Sequence, residues 1–175
     1  DYSRPLTRSA MDILVTGGAG FIGGHLADSF VEAGHDVTTL DILEPFYDLG
    51  LKEYNIDVAR QRATETEGNY DFLGTTNDKK LVDEIVEDID IIYHQAAQAG
   101  VRASVENPTK ATEYNINGSQ TILEAARNHD VARVVNASSP SVYGHPEYLP
   151  SDEAPPNQPV TPRGRSTRAV APHQP

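Results

Sequence analysis

The sequence predicts an α/β fold in which helices cover both faces of a parallel sheet. Short apolar runs alternate with segments of helical periodicity along residues 11–136. The apolar runs lack the polar alternation of a sheet with one solvated face, which is typical of buried parallel strands. A glycine-rich turn over residues 17–23 joins the first apolar run to the first helical segment. Right-handed connections between these strands give the predicted order 3-2-1-4-5.

Each element follows from a local pattern. The first strand is the apolar run 11–16, and the first helix follows the turn and ends at Gly34. Further strands are predicted at residues 35–40, 70–73, 90–93 and 131–136. Residues 44–66 are partly helical, Asn77 or Asp78 caps a helix to about Glu87, and Pro108 opens a long helix to about Asn128.

The chain divides into three parts. Met11 is the only methionine and directly precedes the first strand, so residues 1–10 are interpreted as a tag or upstream extension. Residues 11–145 form the predicted domain. Residues 146–175 are rich in proline and show no apolar face, which predicts an irregular tail.

Composition excludes several classes of function. The 175 residues carry 26 acidic and 14 basic side chains, and the net charge of −12 argues against nucleic-acid and anionic-membrane partners. The absence of cysteine excludes disulfides, thiolate metal sites and cysteine nucleophiles. No apolar run approaches the roughly 20 residues of a membrane span, and no secretory signal is recognisable, so we expect a cytoplasmic protein.

The glycine-rich turn predicts a phosphate-binding site. Gly18, Gly20 and Gly23 fit the G-x-G-x-x-G pattern, in which glycine permits a tight turn and close approach of the backbone to a pyrophosphate. The following helix offers free N–H groups and a positive dipole end to the anion. Asp41 ends the second strand, where a carboxylate accepts hydrogen bonds from an adenosine ribose and repels a 2′-phosphate. The domain is therefore predicted to bind NAD rather than NADP, the alternative being a tight turn with a capping acid.

Three motifs together resemble a known family. Residues 16–23, 94–102 and 138–144 resemble the extended short-chain dehydrogenases/reductases, and more narrowly the NAD-dependent nucleotide-sugar epimerase/dehydratase group. The run 97–108, which includes Glu106-Asn107-Pro108, is most similar to UDP-sugar 4-epimerases. The resemblance covers residues 11 to about 162 and implies a Rossmann-like domain over 11–145. It also implies a truncated chain that lacks the family's C-terminal substrate domain.

The resemblance implies roles for matching residues. Those that would hold NAD are Gly17, Gly20, Phe21, Ile22, Gly23, Asp41, Ile42, Gln95, Ala96, Ala97, Gln98, Ala99 and Asn115. Ser139 matches the catalytic Ser/Thr and would touch the substrate, a UDP-sugar, and Arg102 would lie near this nucleotide sugar.

Structural alternatives stay open for these residues. Ala96 and Ala97 are alternatively small residues required where a strand meets a helix. Asn115 is alternatively a polar residue on a helix surface. Ser139 is alternatively a turn serine, and Arg102 a surface arginine. Tyr143 is interpreted as a packing residue. His94 is interpreted as a satisfied core histidine rather than an acid or base.

The chain departs from the family at its catalytic pair. The family's Tyr-x-x-x-Lys motif aligns with residues 161–167, where Arg163 replaces the tyrosine and Thr167 the lysine. Arginine stays protonated near neutral pH, and losing a positioned acid/base typically costs ~10²–10⁴-fold in rate. Thr75 stands where the family has an aspartate that contacts adenine. We expect the helix of the pair to be missing, and therefore no stable dimer, because full-length members often dimerise through it.

Two hypotheses follow. The first is an NAD-dependent UDP-sugar 4-epimerase whose turnover is impaired in this chain. The second is a non-catalytic NAD-binding fragment or a decayed family member. A 4,6-dehydratase is disfavoured, because Pro140-Ser141 stands where that branch carries Asp-Glu after its Ser/Thr.

Overall fold

The computed structural model describes residues 10–145, 148, 150, 152 and 156–170. Its centre is a five-stranded parallel sheet in the order β3-β2-β1-β4-β5, which confirms the predicted fold class and strand order. The strands are β1 (Asp12–Thr16), β2 (Asp36–Leu40), β3 (Tyr70–Leu73), β4 (Ile91–His94) and β5 (Arg133–Asn136). The predicted tag or extension at residues 1–10 lies almost wholly outside the described residues.

The helices flank this sheet. They are α1 (Phe21–Glu32), α2 (Leu49–Glu65), α3 (Lys79–Val86), α4 (Val101–Glu106), α5 (Pro108–Thr112), α6 (Gly118–Asn128) and α7 (Pro162–Val170). A π turn over Glu113–Asn117 joins α5 to α6, and a short 3-10 helix covers Pro140–Val142. None of the helices in the described part of the chain is long and apolar enough to cross a membrane.

The hydrophobic core has two halves, one on each face of the sheet. Leu14 of β1 packs with Val82 of α3 and Ile122 of α6 on one face. Ile13 and Val15 of the same strand point the other way and pack against α1. The side chains of Ile13, Leu14 and Val15 are almost completely buried, which confirms the prediction of a sheet covered on both faces.

Local capping explains where several helices begin. Asp78 caps α3 by accepting a hydrogen bond from the Leu81 N–H at 3.1 Å, as predicted. Asn107 caps α5 by accepting from the Lys110 N–H at 3.0 Å. The predicted long helix over 108–128 is present, but the π turn divides it and shifts the side chains that follow.

The prediction of an irregular tail is wrong for residues 162–170, which form α7, and so is the expectation that this helix is missing. The helix docks through small residues: Gly164 and Ser166 are buried, and the Arg163 N–H donates to Ser104 Oγ at 3.2 Å. A glycine and a serine, rather than a stripe of apolar side chains, pack α7 against the rest of the domain. The sequence of this helix therefore shows no hydrophobic periodicity. Several other residues of the predicted tail lie outside the described ones.

Candidate functional site

A cleft of about 450 Å³ lies beyond the carboxyl ends of the strands. This is where open parallel α/β sheets bind ligands, and the volume suits a small molecule or cofactor. Ser139 and every residue predicted to hold NAD line it. Arg102 does not: its side chain is 92% exposed and pairs with Glu106 at 2.9 Å. The geometry thus favours the alternative that Arg102 is a surface arginine.

The glycine turn forms the cleft floor between β1 and α1. Gly17 has a left-handed φ of +69°, and its N–H donates to the Leu40 carbonyl at 2.7 Å. A Cβ at Gly17 would lie 2.9 Å from the Ala96 nitrogen, and one at Gly23 would collide with the Gly17 carbonyl oxygen. Gly20 leads into α1 without a side-chain cap, so the first-turn N–H groups have no side-chain acceptor, and the residues that carry them line the cleft. The floor therefore has the form of an anion-binding cradle.

Asn55 of α2 holds this turn from behind. Its Nδ2 donates to the Ala19 carbonyl at 3.0 Å and to the Gly20 carbonyl at 3.2 Å. Asn55 was not predicted from the sequence, because α2 has only a weak apolar face and no local pattern distinguishes Asn55 from the other polar residues of this helix. The turn is thus positioned by a side chain that comes more than thirty residues later in the sequence.

A buried ion pair lies at the end of β2. Asp41 Oδ1 accepts hydrogen bonds from Lys52 Nζ at 3.0 Å and from the Leu43 N–H at 2.8 Å. The Lys52 and Asp41 side chains are only 8% and 7% exposed. Within the described residues Asp41 Oδ2 has no such partner, so this oxygen can accept a further hydrogen bond. Lys52 was not predicted from the sequence, although it is buried on α2 together with Ile56 and Ala59.

The loop after β2 forms one wall of the cleft. Glu44, Phe46 and Tyr47 line this wall. Lys110 Nζ donates to Glu44 Oε1 at 2.5 Å, and this hydrogen bond raises the pKa of Lys110. The ion pair connects this loop to α5.

A directed chain of hydrogen bonds runs beneath the cleft. The Ala96 N–H donates to Thr16 Oγ1 at 3.1 Å, which lies 2.6 Å from His94 Nδ1. His94 Nε2 lies 2.8 Å from Ser119 Oγ, which donates to the Asn115 carbonyl at 2.9 Å. Since Ser119 is a donor there, its oxygen accepts from Nε2–H, and Nδ1 accepts from Thr16. His94 is 3% exposed and both of its ring nitrogens have partners, so the interpretation as a satisfied core histidine is confirmed. Burial also lowers the pKa of His94 to about 4.

Asn115 connects the loop after β4 to α7. It lies in the π turn and is 5% exposed, which excludes a position on the helix surface. Its Oδ1 accepts from the Gln98 N–H at 2.6 Å, and its Nδ2 donates to Ser166 Oγ at 3.1 Å. Asn115 therefore contacts two walls of the cleft at once. Single π turns inside helices are frequent at functional sites.

Ser139 lies at the far end of the cleft, after β5. Its Oγ accepts from the Ser141 N–H at 3.3 Å and lies 2.9 Å from Ser141 Oγ, so it also caps the short 3-10 helix. Tyr143, which follows in the same motif, is half-buried and does not line the cleft. Ser139 is thus both a turn serine and a cleft residue.

The two substituted positions of the catalytic pair also line the cleft. Arg163 and Thr167 lie one turn apart on α7, and the Thr167 hydroxyl donates to the Arg163 carbonyl at 2.9 Å. Thr75 lines the cleft as well. The cleft thus gathers the cradle, Asp41 and Ser139 with the substitutions that separate this chain from the family pattern. No cluster of metal-ligating side chains occurs among residues 10–145 and the other described positions.

Comparison with known proteins identifies the family. Residues 14–171 match the family model described as GDP-mannose 4,6 dehydratase. UDP-glucose 4-epimerase from Halalkalibacterium halodurans is 33% identical over 162 residues, which cover 91% of this chain and 44% of the relative. UDP-glucuronate 4-epimerase 3 from Arabidopsis thaliana is 36% identical over 154 residues, which cover 86% and 35%.

Solved structures with a similar fold include the same kind of enzyme. A variant of UDP-glucuronic acid 4-epimerase from Bacillus cereus, solved with NAD and UDP-4-deoxy-4-fluoro-glucuronic acid, superimposes with a TM-score of 0.81 at 28% identity. The match covers 91% of this chain and 50% of that one. The chain spans less than half the length of the first curated relatives that it matches. It belongs to the NAD-dependent epimerase/dehydratase family of extended short-chain dehydrogenases/reductases.

Proposed function

We propose that the chain binds NAD in this cleft and is an impaired relative of the UDP-sugar 4-epimerases. The observation that carries the proposal is one cleft that unites an epimerase-type cradle with Arg163 and Thr167. The cradle fits the cofactor, because glycine at positions 17 and 23 permits a tight turn, in which any Cβ would collide with neighbouring backbone, and so lets the first turn of α1 approach a pyrophosphate. Bound NAD would accept a hydride from the sugar C4 carbon and return it.

Each end of the dinucleotide has its own residues in this proposal. The N-terminal turn of α1 takes the pyrophosphate, and Asp41 Oδ2 accepts from the adenosine ribose. Gln98 and Asn115 shape the other half of the cleft, and Ser139 hydrogen-bonds the sugar hydroxyl. By family, the substrate is a UDP-sugar. The predicted cytoplasmic location and the predicted absence of a nucleic-acid partner stay predictions. The predicted lack of a stable dimer also stays a prediction, but its original reason no longer applies, because α7 is present.

Arg163 and Thr167 limit the chemistry. Taking the proton from a sugar hydroxyl needs a base, and a guanidinium stays protonated at every relevant pH. Thr167 is neutral, and its hydroxyl proton is engaged by the Arg163 carbonyl. We therefore expect turnover to be lower by ~10²–10⁴-fold than with a Tyr/Lys pair. The same two residues favour the alternative function, a dinucleotide-binding protein without turnover.

Binding and turnover are tested separately. Calorimetric titration with NAD is expected to show binding. NADP is expected to bind at least about tenfold more weakly, because it lacks the ribose 2′-hydroxyl that would donate to Asp41 Oδ2. Interconversion of UDP-glucose with UDP-galactose, and of UDP-glucuronate with UDP-galacturonate, is then followed with bound NAD. Absence of NAD binding at millimolar concentration overturns the proposal.

Paired substitution separates the two functions. The double variant Arg163→Tyr/Thr167→Lys restores the family's acid/base pair in its own positions. If the chain is an impaired epimerase, this variant gains epimerisation by about 10²-fold or more. If the variant binds NAD and still shows no turnover, the non-catalytic function is favoured.

A further inference from the structure

One charged side chain in the cleft lacks a partner of opposite charge among the described residues. Four charged residues line it among the described positions: Asp41, Glu44, Lys52 and Arg163. Asp41 pairs with Lys52 at 3.0 Å, and Glu44 pairs with Lys110 at 2.5 Å. Within the same part of the chain, the Arg163 guanidinium has neither an ion pair nor a hydrogen bond. A half-buried, unpaired cation therefore faces the cleft of a protein whose net charge is −12.

Helix stability does not explain this cation. Arg163 is the second residue of α7, whose first turn contains no acidic residue. A positive charge at a helix N-terminus opposes the helix dipole. The docking contacts use the backbone of Arg163: its N–H donates to Ser104, and its carbonyl accepts from Ser166 and Thr167. The side chain is thus free to act on a ligand.

The position of Arg163 along the cleft decides which part of a dinucleotide it faces. Dinucleotides lie across such a sheet with one mononucleotide on each side of the first strand. Asp41 follows β2 and marks the adenosine side. Arg163 lies with Ser139, which follows β5, on the opposite side. It therefore faces the nicotinamide end, and this ring carries a positive charge in NAD and none in NADH.

We propose that Arg163 makes the cleft select the reduced dinucleotide, NADH, over NAD. The inference rests on the proposed function, since it requires a dinucleotide in the cleft. The pyrophosphate is common to both forms, so its attraction to Arg163 cancels when their affinities are compared. Only the repulsion between the guanidinium and the oxidised ring remains, and at a half-exposed site it corresponds to about a five- to tenfold difference in affinity.

The test compares two ligands across matched variants. Dissociation constants for NADH are measured by fluorescence titration, and those for NAD by displacement of NADH. The variants are Arg163→Gln, which removes the charge, Arg163→Lys, which keeps it, and Arg165→Gln. Arg165 is exposed on the same helix and outside the cleft lining, so it controls for the change in net charge. ADP-ribose, which lacks the ring, reports any general damage to the cradle.

The ratio of the two dissociation constants is the decisive quantity. We expect Arg163→Gln to reduce the preference for NADH by about five- to tenfold, and Arg163→Lys and Arg165→Gln to retain most of it. An unchanged ratio in a folded Arg163→Gln protein that binds ADP-ribose normally overturns the inference and leaves the proposed function intact. If Arg163→Gln fails to fold, a loss of the preference in Arg163→Lys overturns it equally. Failure of the wild-type protein to bind either dinucleotide overturns both proposals.

Discussion

At Gly23 the backbone of α1 lies against the carbonyl oxygen of Gly17, with no space for a methyl group between them. The substitution Gly23→Ala forces the turn to move away from the pyrophosphate position. We expect the affinity for NAD to fall about tenfold or more, equivalent to about 1.4 kcal/mol. Calorimetric titration measures this.

A glycine outside the cradle provides the control. A Cβ at Gly74 would lie 3.4 Å from Leu81 Cδ2, an ordinary contact, and Gly74 does not line the cleft. Gly74→Ala is expected to bind NAD like the wild-type protein. Equal affinities for both variants would contradict the role of Gly23 in the cradle.

The ion pair between Lys52 and Asp41 is expected to have a large effect on stability because both side chains are buried. Lys52→Met leaves the Asp41 carboxylate in the interior with only the Leu43 N–H as partner. Removing one partner of a buried pair typically costs about 3–5 kcal/mol, and we expect the free energy of unfolding in urea to fall by about this amount.

An exposed pair on another helix serves for comparison. Lys80 and Glu84 lie 3.4 Å apart, and their side chains are 87% and 63% exposed. Lys80→Met should change the free energy of unfolding by less than about 1 kcal/mol. A Lys52→Met variant as stable as Lys80→Met would show that Asp41 is solvated or protonated without Lys52.

Among the elements, α7 depends most on close packing of one residue. A Cβ at Gly164 would collide with the Ser141 carbonyl and lie 2.9 Å from Pro159 Cβ. Gly164→Ala should therefore undock α7, and trypsin should cleave after the three arginines of this helix about tenfold faster or more, since cleavage follows the population of the open form. Mass spectrometry of timed digests detects these cleavages.

A substitution on the exposed side of α7 separates docking from helix propensity. Ala169 is exposed, so Ala169→Ser leaves the contact with Ser141 intact. We expect its digestion rate to equal that of the wild-type protein. Equally fast cleavage of both variants would mean that Gly164 does not hold the helix in place.

Elements with a local signal were predictable, and those positioned by distant partners were not. The strands, the glycine turn and the Asp78 cap each follow from a few adjacent residues. Helix α7 was missed because it docks through Gly164 and Ser166, which leave no apolar stripe in the sequence. Lys52 was missed because its partner, Asp41, is adjacent only after α2 has packed against the sheet.

For the whole molecule, His94 makes stability depend on pH. Its pKa is about 4 in the folded protein, below the ordinary value of 6.5 in an unfolded chain. Between these values the unfolded chain binds more protons, so the free energy of unfolding rises with pH and is fully restored above 6.5. The contribution of His94 across this window is about 3 kcal/mol at most. Urea denaturation between pH 4.5 and about 7 measures it.

Two histidine variants isolate this contribution. His94→Gln removes the titrating group. The number of protons taken up on unfolding, which the slope of stability against pH from 5 to about 6.5 reports, should fall by up to one. His25 is exposed, and its ring contacts only its own helix. His25→Gln should keep the wild-type slope. A wild-type slope in folded His94→Gln would assign the pH dependence to other groups.

The pairing of β1 with β4 also determines how early the sheet can form during protein synthesis. Thr16 and His94 are neighbours in the sheet but 78 residues apart in the chain. A ribosome adds roughly 5–20 residues per second, so β1 waits roughly 4–16 seconds for its second neighbour. During that time one edge of an apolar strand stays open to other chains. Slow codons between residues 17 and 90 would lengthen this exposure and lower the yield of folded protein, even though the finished amino-acid sequence would be identical.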